Sequence, residues 1–281
     1  GLRLETGCQL SVSSCSSSMA MARRSYLPGC GWNTSKKPLI LGPMSEILVV
    51  EIWRGAEDGH FQSFDVPRLE NQTVLDVVTY VQRKLDPGLS YRFSCRVGMC
   101  GSCAMTVNGT PRWTCRTHVS RVAEDGQLQI APLRNLPVIK DLSVDMQNFF
   151  DKLAKAGGAF QSTKARTDNF AQIPPADPRR KQADAGIECI GCAVCYAACD
   201  VVTWKPTYLG PAALNRAWTL VNDARDGMGD KRLSLVAGDD GCIACHSQQG
   251  CQEHCPMSLS PTAAIAGLKR SVAVAALKGK L

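Results

Sequence analysis

The 281-residue chain contains no apolar run near the roughly 20 residues that a helix needs to cross a bilayer. Its most apolar stretch, residues 263–277, is interrupted by Lys269 and Arg270 and reads as a packed or interfacial helix. No transmembrane segment of its own is expected, so attachment to a membrane would have to come through a partner. Charge of one sign is also scarce. The formal charge is +7, but Arg3, Arg23, Arg24, Lys36 and Lys37 against Glu5 put +4 of it in the first 43 residues, leaving +3 for the rest. That balance is too mild to argue for nucleic acid and suits a solvated basic surface. Residues 1–43 lack an initial Met and any sustained hydrophobic period. Their basic, acid-poor composition suits a mitochondrial-type presequence. A twin-arginine signal at Arg23-Arg24 is disfavoured, because no apolar run follows. Met44-Ser45-Glu46, directly before the first strand pattern, favours translated sequence upstream of the true start. The segment is expected to be disordered or non-native, with Cys8, Cys15 and Cys30 as non-ligands.

What the chain has in quantity is cysteine, fifteen in all, and twelve fall in three tight groups. In a small secreted chain that would suggest disulfides; here the grouping points to metal ligation in a reducing compartment. Cys189, Cys192, Cys195 and Cys199 follow C-x2-C-x2-C-x3-C, the spacing by which bacterial ferredoxins hold one [4Fe–4S] cluster and lend the fourth cysteine to another. Three thiolates on a tight loop cap three irons, and the fourth, a helical turn on, points away. Cys245 to Pro256 repeats the frame with Gln248 where a cysteine would stand, then Cys251 and Cys255. Zinc sites pair their ligands across a dozen or more residues, which this spacing does not do. The remaining group, Cys95, Cys100, Cys103 and, after eleven residues, Cys115, has the plant-type [2Fe–2S] spacing. Gly98 and Gly101 suit a loop that must turn its amides towards cluster sulfurs.

Ile47–Arg54 reads as a strand apolar on both faces, with Phe61–Val66 pairing to it. Residues 73–85 place Val74, Val77, Val78, Val81 and Leu85 on one helical face. Asn108-Gly109 signals a hairpin between 104–107 and 112–114, and 127–133 supplies a last strand. Residues 136–153 read as an entry turn and a helix, 155–183 as a connector, 211–225 as an amphipathic helix opened by Pro211, and the chain closes with a helix from Pro261. Each cysteine run of the second half precedes a helix, so the two can face each other as a pseudo-repeat. The fold class is α+β: a β-grasp plant-type ferredoxin domain over 44–147, then an all-α two-cluster ferredoxin-like domain over 148–281.

With SCRVGMCGSC (94–103), RNLPVIKDLSVDM (134–146), ECIGCAVCYAAC (188–199), YLGPAAL (208–214) and CHSQQGCQEHCP (245–256) in that order, the chain is similar to the iron–sulfur subunit of succinate dehydrogenase and fumarate reductase over about residues 46–275. The resemblance implies [2Fe–2S] on Cys95, Cys100, Cys103 and Cys115, [4Fe–4S] on Cys189, Cys192, Cys195 and Cys255, and [3Fe–4S] on Cys199, Cys245 and Cys251. It implies electron transfer between the FAD of a separate flavoprotein subunit, which holds the dicarboxylate site, and quinone at a membrane anchor. It further implies a quinone site at Trp204 and His246, an indole donor and a titrating imidazole. No dicarboxylate chemistry is expected on this chain. Its implied place is peripheral, on the cytoplasmic face of a bacterial inner membrane, or on the matrix face if residues 1–43 are a presequence. Asp200 departs from the pattern, which has Pro there. Cys242 competes as a further thiolate for the third cluster, or is a buried free thiol. His60, His118 and His254 are expected to be solvated or packed. The alternatives are an electron-transfer subunit of another flavoprotein, of heterodisulfide or glycolate type, and a zinc-held binding protein.

Overall fold

The computed structural model describes residues 46–281; the expectations for residues 1–43 lie outside the described residues. Alternation of side chains builds the first sheet. Along β1 (Ile47–Arg54), Leu48, Val50 and Ile52 are fully buried while Ile47 and Val49 face solvent, so one face is open where two apolar faces are expected. β1 pairs antiparallel with β2 (His60–Pro67) and parallel with β5 (Gln127–Ala131), which pairs in turn with β3 (Ala104–Val107) of the hairpin β3–β4 (Thr110–Trp113). The five strands run in the order β2-β1-β5-β3-β4. Asn108 and Gly109 hold φ of 45° and 74°, the doubly positive turn that matches strand twist.

Helix α1 (Val74–Tyr80) covers the sheet. Its N-cap Thr73 and Asp76 satisfy each other's amides in a capping box. Val74, Val77, Val78 and Val81 are buried as the period requires, but Leu85 is exposed, because the last turn widens to a π-helix over Val81–Leu85 and rotates it off the core face. A small hairpin, β6 (Val138–Lys140) with β7 (Ser143–Val144), replaces the expected entry turn.

The second half is helical. Its core gathers residues from α2 (Gln147–Lys155), α4 (Val194–Ala197), α5 (Asp200–Trp204), α6 (Pro211–Asn222), α7 (Asp230–Ala237), α8 (Gly250–Glu253) and α9 (Pro261–Leu277). Two of the longer helices escape the sequence reading. α3 (Pro178–Ile187) starts inside the expected connector, capped by Asp177, whose carboxylate accepts from the amides of Arg179 and Arg180. α7 is fixed by Arg232, which is fully buried and pairs with Asp226 at 2.8 Å. α6 lies against α9, where Gly267 leaves room for the Trp218 ring. Ala104, Leu133, Leu136 and Val144 from the first half belong to this second core, so the two halves share apolar packing.

Candidate metal centres

The loop 95–103 bends through positive φ at Arg96, Gly98 and Gly101 (58°, 77° and 70°). That path turns the amides of Val97, Met99 and Cys100 onto Cys95 Sγ at 3.5, 3.3 and 3.3 Å, and the Cys95 amide onto Cys100 Sγ at 3.5 Å. Cys103 and Cys115 close the site from the buried side. The Cys95 amide and Ser102 pull the Cys100 thiol down to about 6, whereas burial and the neighbouring Cys103 push Cys115 up to about 12. Cys100 is thus a ready thiolate, while Cys115 ionises against a cation. Four thiols with amides aimed at sulfur suit a [2Fe–2S] cluster.

The other two runs share one backbone path. Gly191 and Ala193 have φ of 64° and 63°, and Ser247 and Gln249, at the matching places of the second run, have 58° and 67°. Ala193 and Gln249 are the N-cap residues of α4 and α8, which pack together. A Cβ on Gly250 would stand 2.8 Å from the Ala198 carbonyl oxygen, so the runs meet backbone to backbone there. The pseudo-repeat is therefore present in conformation as well as spacing.

Between these runs the cysteines separate into two sites. Cys189, Cys192, Cys195 and Cys255 line one cavity with Pro256. Cys199, Cys245 and Cys251 line another with Tyr208, His246 and Gln248. Electrostatics sorts them the same way. Burial pushes Cys192 up to about 12, and the nearby thiolates of Cys189 and Cys255 add to it. Burial likewise raises Cys199, whose facing thiolates are Cys251 and Cys245. Thiols buried like Cys192 and Cys199 ionise more readily beside bound positive charge, which is what iron would supply. Among the described residues no three His, Cys, Asp or Glu side chains are arranged to hold a single metal ion. The thiols ring cavities, and that suits multi-iron clusters.

The surrounding donors complete the fit. Amides of Val202 and Val201 reach Cys199, and the Ser247 amide reaches Cys245 Sγ at 3.4 Å. Tyr208 is buried beside the site; burial and the three surrounding cysteine sulfurs raise its pKa. Gln248, at the vacant ligand place, lines the three-cysteine cavity, whereas Cys242, fully buried, lies outside its lining. The three sites adjoin. Gly101 of the first loop packs against Cys192, with Cys192 Cβ 2.5 Å from where a Gly101 Cβ would be, and Cys195 in the four-cysteine site feels the charge of Cys251 in the next.

Of the two residues expected at a quinone, His246 is exposed on the lining of the three-cysteine cavity; Trp204 is exposed at the end of α5 and outside that lining. Asp200 is the first residue of α5, where an acidic side chain suits the helix N-terminus as well as Pro would. It pairs with Arg134 at 3.8 Å. Next to it, Asn135 Nδ2 donates to the carbonyls of Tyr196 and Cys199 at 3.1 and 3.2 Å. The bracing by Arg134 and Asn135, and the buried Lys152 and Tyr208, carry no signal in spacing or periodicity. His60 is exposed, and His118 and His254 are half-buried, none on a cysteine cavity.

Residues 48–151 match the family described as a 2Fe-2S iron-sulfur cluster binding domain, and residues 188–260 the family described as a 4Fe-4S dicluster domain. The chain is 36% identical over 231 residues to the fumarate reductase iron-sulfur subunit of Mycobacterium tuberculosis, covering 78% of this chain and 88% of that one. Against the fumarate reductase iron-sulfur subunit of Haemophilus influenzae it is 35% identical over 235 residues, 79% and 91% of the two chains. Against the mitochondrial succinate dehydrogenase [ubiquinone] iron-sulfur subunit 1 of Oryza sativa it is 36% identical, with 70% of each chain covered. Among solved structures, a chain of the Mycobacterium smegmatis Sdh1 complex in the apo form superposes with a TM-score of 0.73 at 26% identity, covering 82% of this chain and 97% of that one.

Proposed function

The chain belongs to the family of succinate dehydrogenase and fumarate reductase iron–sulfur subunits, and from that premise we propose how its centres are ordered and used. It transfers electrons within a succinate:quinone oxidoreductase. The clusters, when bound, supply the one-electron chemistry; the protein's residues fix their order, their hydrogen bonds and their exposure. The observation that carries the proposal is the close packing of Gly101 on Cys192, which sets the plant-type loop directly on the four-cysteine site. We assign [2Fe–2S] to Cys95, Cys100, Cys103 and Cys115, [4Fe–4S] to Cys189, Cys192, Cys195 and Cys255, and [3Fe–4S] to Cys199, Cys245 and Cys251. The order is that of the cavities, with the four-cysteine site in the middle.

Phe93, Val97 and Met99 stand exposed around the first loop, with Met99 66% accessible. Apolar exposure there suits docking of the flavoprotein subunit that carries FAD and the dicarboxylate site. At the other end His246 borders the three-cysteine cavity, and Trp204 stands on the helix that follows Cys199. These two residues form the quinone side, facing a membrane anchor. No described helix is long and apolar enough to cross a membrane. This fits a peripheral subunit, on the cytoplasmic face of a bacterial inner membrane or the matrix face of a mitochondrion. The sheet and α1 over 44–147 fit a β-grasp ferredoxin domain, and 148–281 an all-α two-cluster ferredoxin-like domain.

Replacing Trp204 with Leu tests the quinone end. Quinone reduction by the assembled complex is expected to slow severalfold while succinate oxidation by an artificial dye stays near wild type. Equal loss in both assays would remove Trp204 from the quinone side.

A further inference from the structure

Helix α2 carries a lysine on its inner face. Lys152 is 3% exposed. Its Nζ donates to the Tyr196 phenolic oxygen at 2.7 Å and to the Pro206 carbonyl at 2.5 Å, and lies 5.0 Å from the centroid of the Tyr196 ring. All three partners are neutral, and among the described residues no carboxylate forms an ion pair with Lys152. A buried ammonium held by neutral groups is costly unless an anion faces it. Asp240 and the Cys199 sulfur favour its charge, and its partners flank the three-cysteine cavity: Tyr196 stands three residues before Cys199 and Pro206 two before Tyr208, with Cys199 and Tyr208 both on the lining. Asp240 is on the surface and already engaged by Thr207 at 2.7 Å and Lys205 at 3.1 Å. Cys199 is a member of the three-cysteine site, and Tyr196, on which Lys152 rests, lies in the loop between Cys195 and Cys199.

We propose that Lys152 is the built-in counter-charge of the three-cysteine centre, an ammonium held on Tyr196 and Pro206, next to the loop that ends at Cys199, that stabilises the reduced form of that centre. The proposal rests on the assignment of a three-iron cluster to Cys199, Cys245 and Cys251. The redox step balances without the lysine: one electron arrives from the four-cysteine centre and one leaves to quinone, while Lys152 keeps its proton and breaks no bond. An added electron makes the centre more negative, so a nearby fixed cation favours its arrival and raises the midpoint potential. Burial first and then Lys155 pull the lysine's own pKa down, while Asp240 and Cys199 push the other way. The buried cation and the anionic centre thus support each other.

The test is a potentiometric EPR titration of the assembled complex with Lys152→Met, Lys152→Gln and Lys152→Arg. The two neutral variants are expected to lose at least tenfold in the reduction equilibrium of the three-iron centre. For one electron this is a fall of about 59 mV. The [2Fe–2S] midpoint stays in place, and Lys152→Arg stays near wild type. Should both neutral variants fail to assemble while the Arg variant assembles, the charge is required and the proposal stands. An unmoved three-iron midpoint in a neutral variant, a shift in Lys152→Arg as large as in Lys152→Met, or failure of all three variants to assemble would overturn it. If wild type lacks a three-iron signal, the cluster assignment itself falls, and the proposal with it. A wild-type signal with an unmoved variant midpoint removes Lys152 alone.

Discussion

Replacing Gly101 with Ala tests the contact that joins the first centre to the second. Gly101 has φ of +70°, and an added Cβ would stand 2.5 Å from Cys192 Cβ and 2.8 Å from its Cα. Two costs follow. The left-handed conformation costs an L-residue about 1–2 kcal/mol, and forcing a methyl into a filled contact adds about 1–3 kcal/mol. Gly109 separates them, because it has φ of +74° and nothing within 4 Å of its added Cβ. Gly109→Ala therefore bears the backbone cost alone. At about 2–4 °C per kcal/mol for a chain of this size, Gly101→Ala should lose its visible absorbance on heating about 2–12 °C below Gly109→Ala. The assay is thermal bleaching of the assembled complex, with iron content confirming that both variants load. Equal bleaching temperatures for the two variants would mean that the plant-type loop does not press on Cys192, and the contiguity of the first two centres would lose its support.

Asp226 and Arg232 are both almost fully buried. Burial raises the Asp226 pKa, but Arg232 and the amides of Gln161 and Met228 outweigh it, leaving the carboxylate below its ordinary 3.8. A lowered carboxylate pKa contributes stability above the unfolded value and loses it as pH falls through the folded one. Asp226→Asn should cost about 3–5 kcal/mol by leaving Arg232 uncompensated, read as a lower thermal midpoint at neutral pH that converges on wild type in acid. A gap that persists unchanged below pH 3.8 would contradict this. Cys242→Ser should leave the three-iron EPR signal unchanged, since that thiol lies outside the three-cysteine cavity; a gain or loss of signal would make Cys242 a ligand.

Spacing and period carried much of this in the sequence. Both cysteine runs, the hairpin at Asn108-Gly109 and the valine face of α1 are local patterns, with cause and effect within a few residues. α3 was hidden because its start rests on Asp177 in a Pro- and charge-rich stretch and its packing on α6, a tertiary contact. α7 was hidden for a similar reason, since it leans on the buried pairing of Arg232 with Asp226 in the preceding loop and on the distant Ala159 carbonyl. Leu85 turned outward because of a π-turn that no periodicity announces. The Asp200 departure lost its force once α5 was seen to start there, since Asp and Pro both suit that first turn. Lys152 sits on α2 at a position where a lysine ordinarily reads as solvent-facing, and only the arrangement of Tyr196 and Pro206 around it shows otherwise.

We propose that Cys199, Cys245 and Cys251 hold three irons because Gln248 stands where a fourth thiolate would. An amide is a poor iron ligand beside a thiolate. The direct measurement is low-temperature EPR of the air-oxidised complex, wild type beside Gln248→Cys. The wild type should show the paramagnetic signal of an oxidised [3Fe–4S] cluster, and Gln248→Cys should lose it as the cavity gains its fourth thiolate. A wild type without that signal, or a Gln248→Cys variant that keeps it at full intensity, would contradict a three-iron centre set by Gln248.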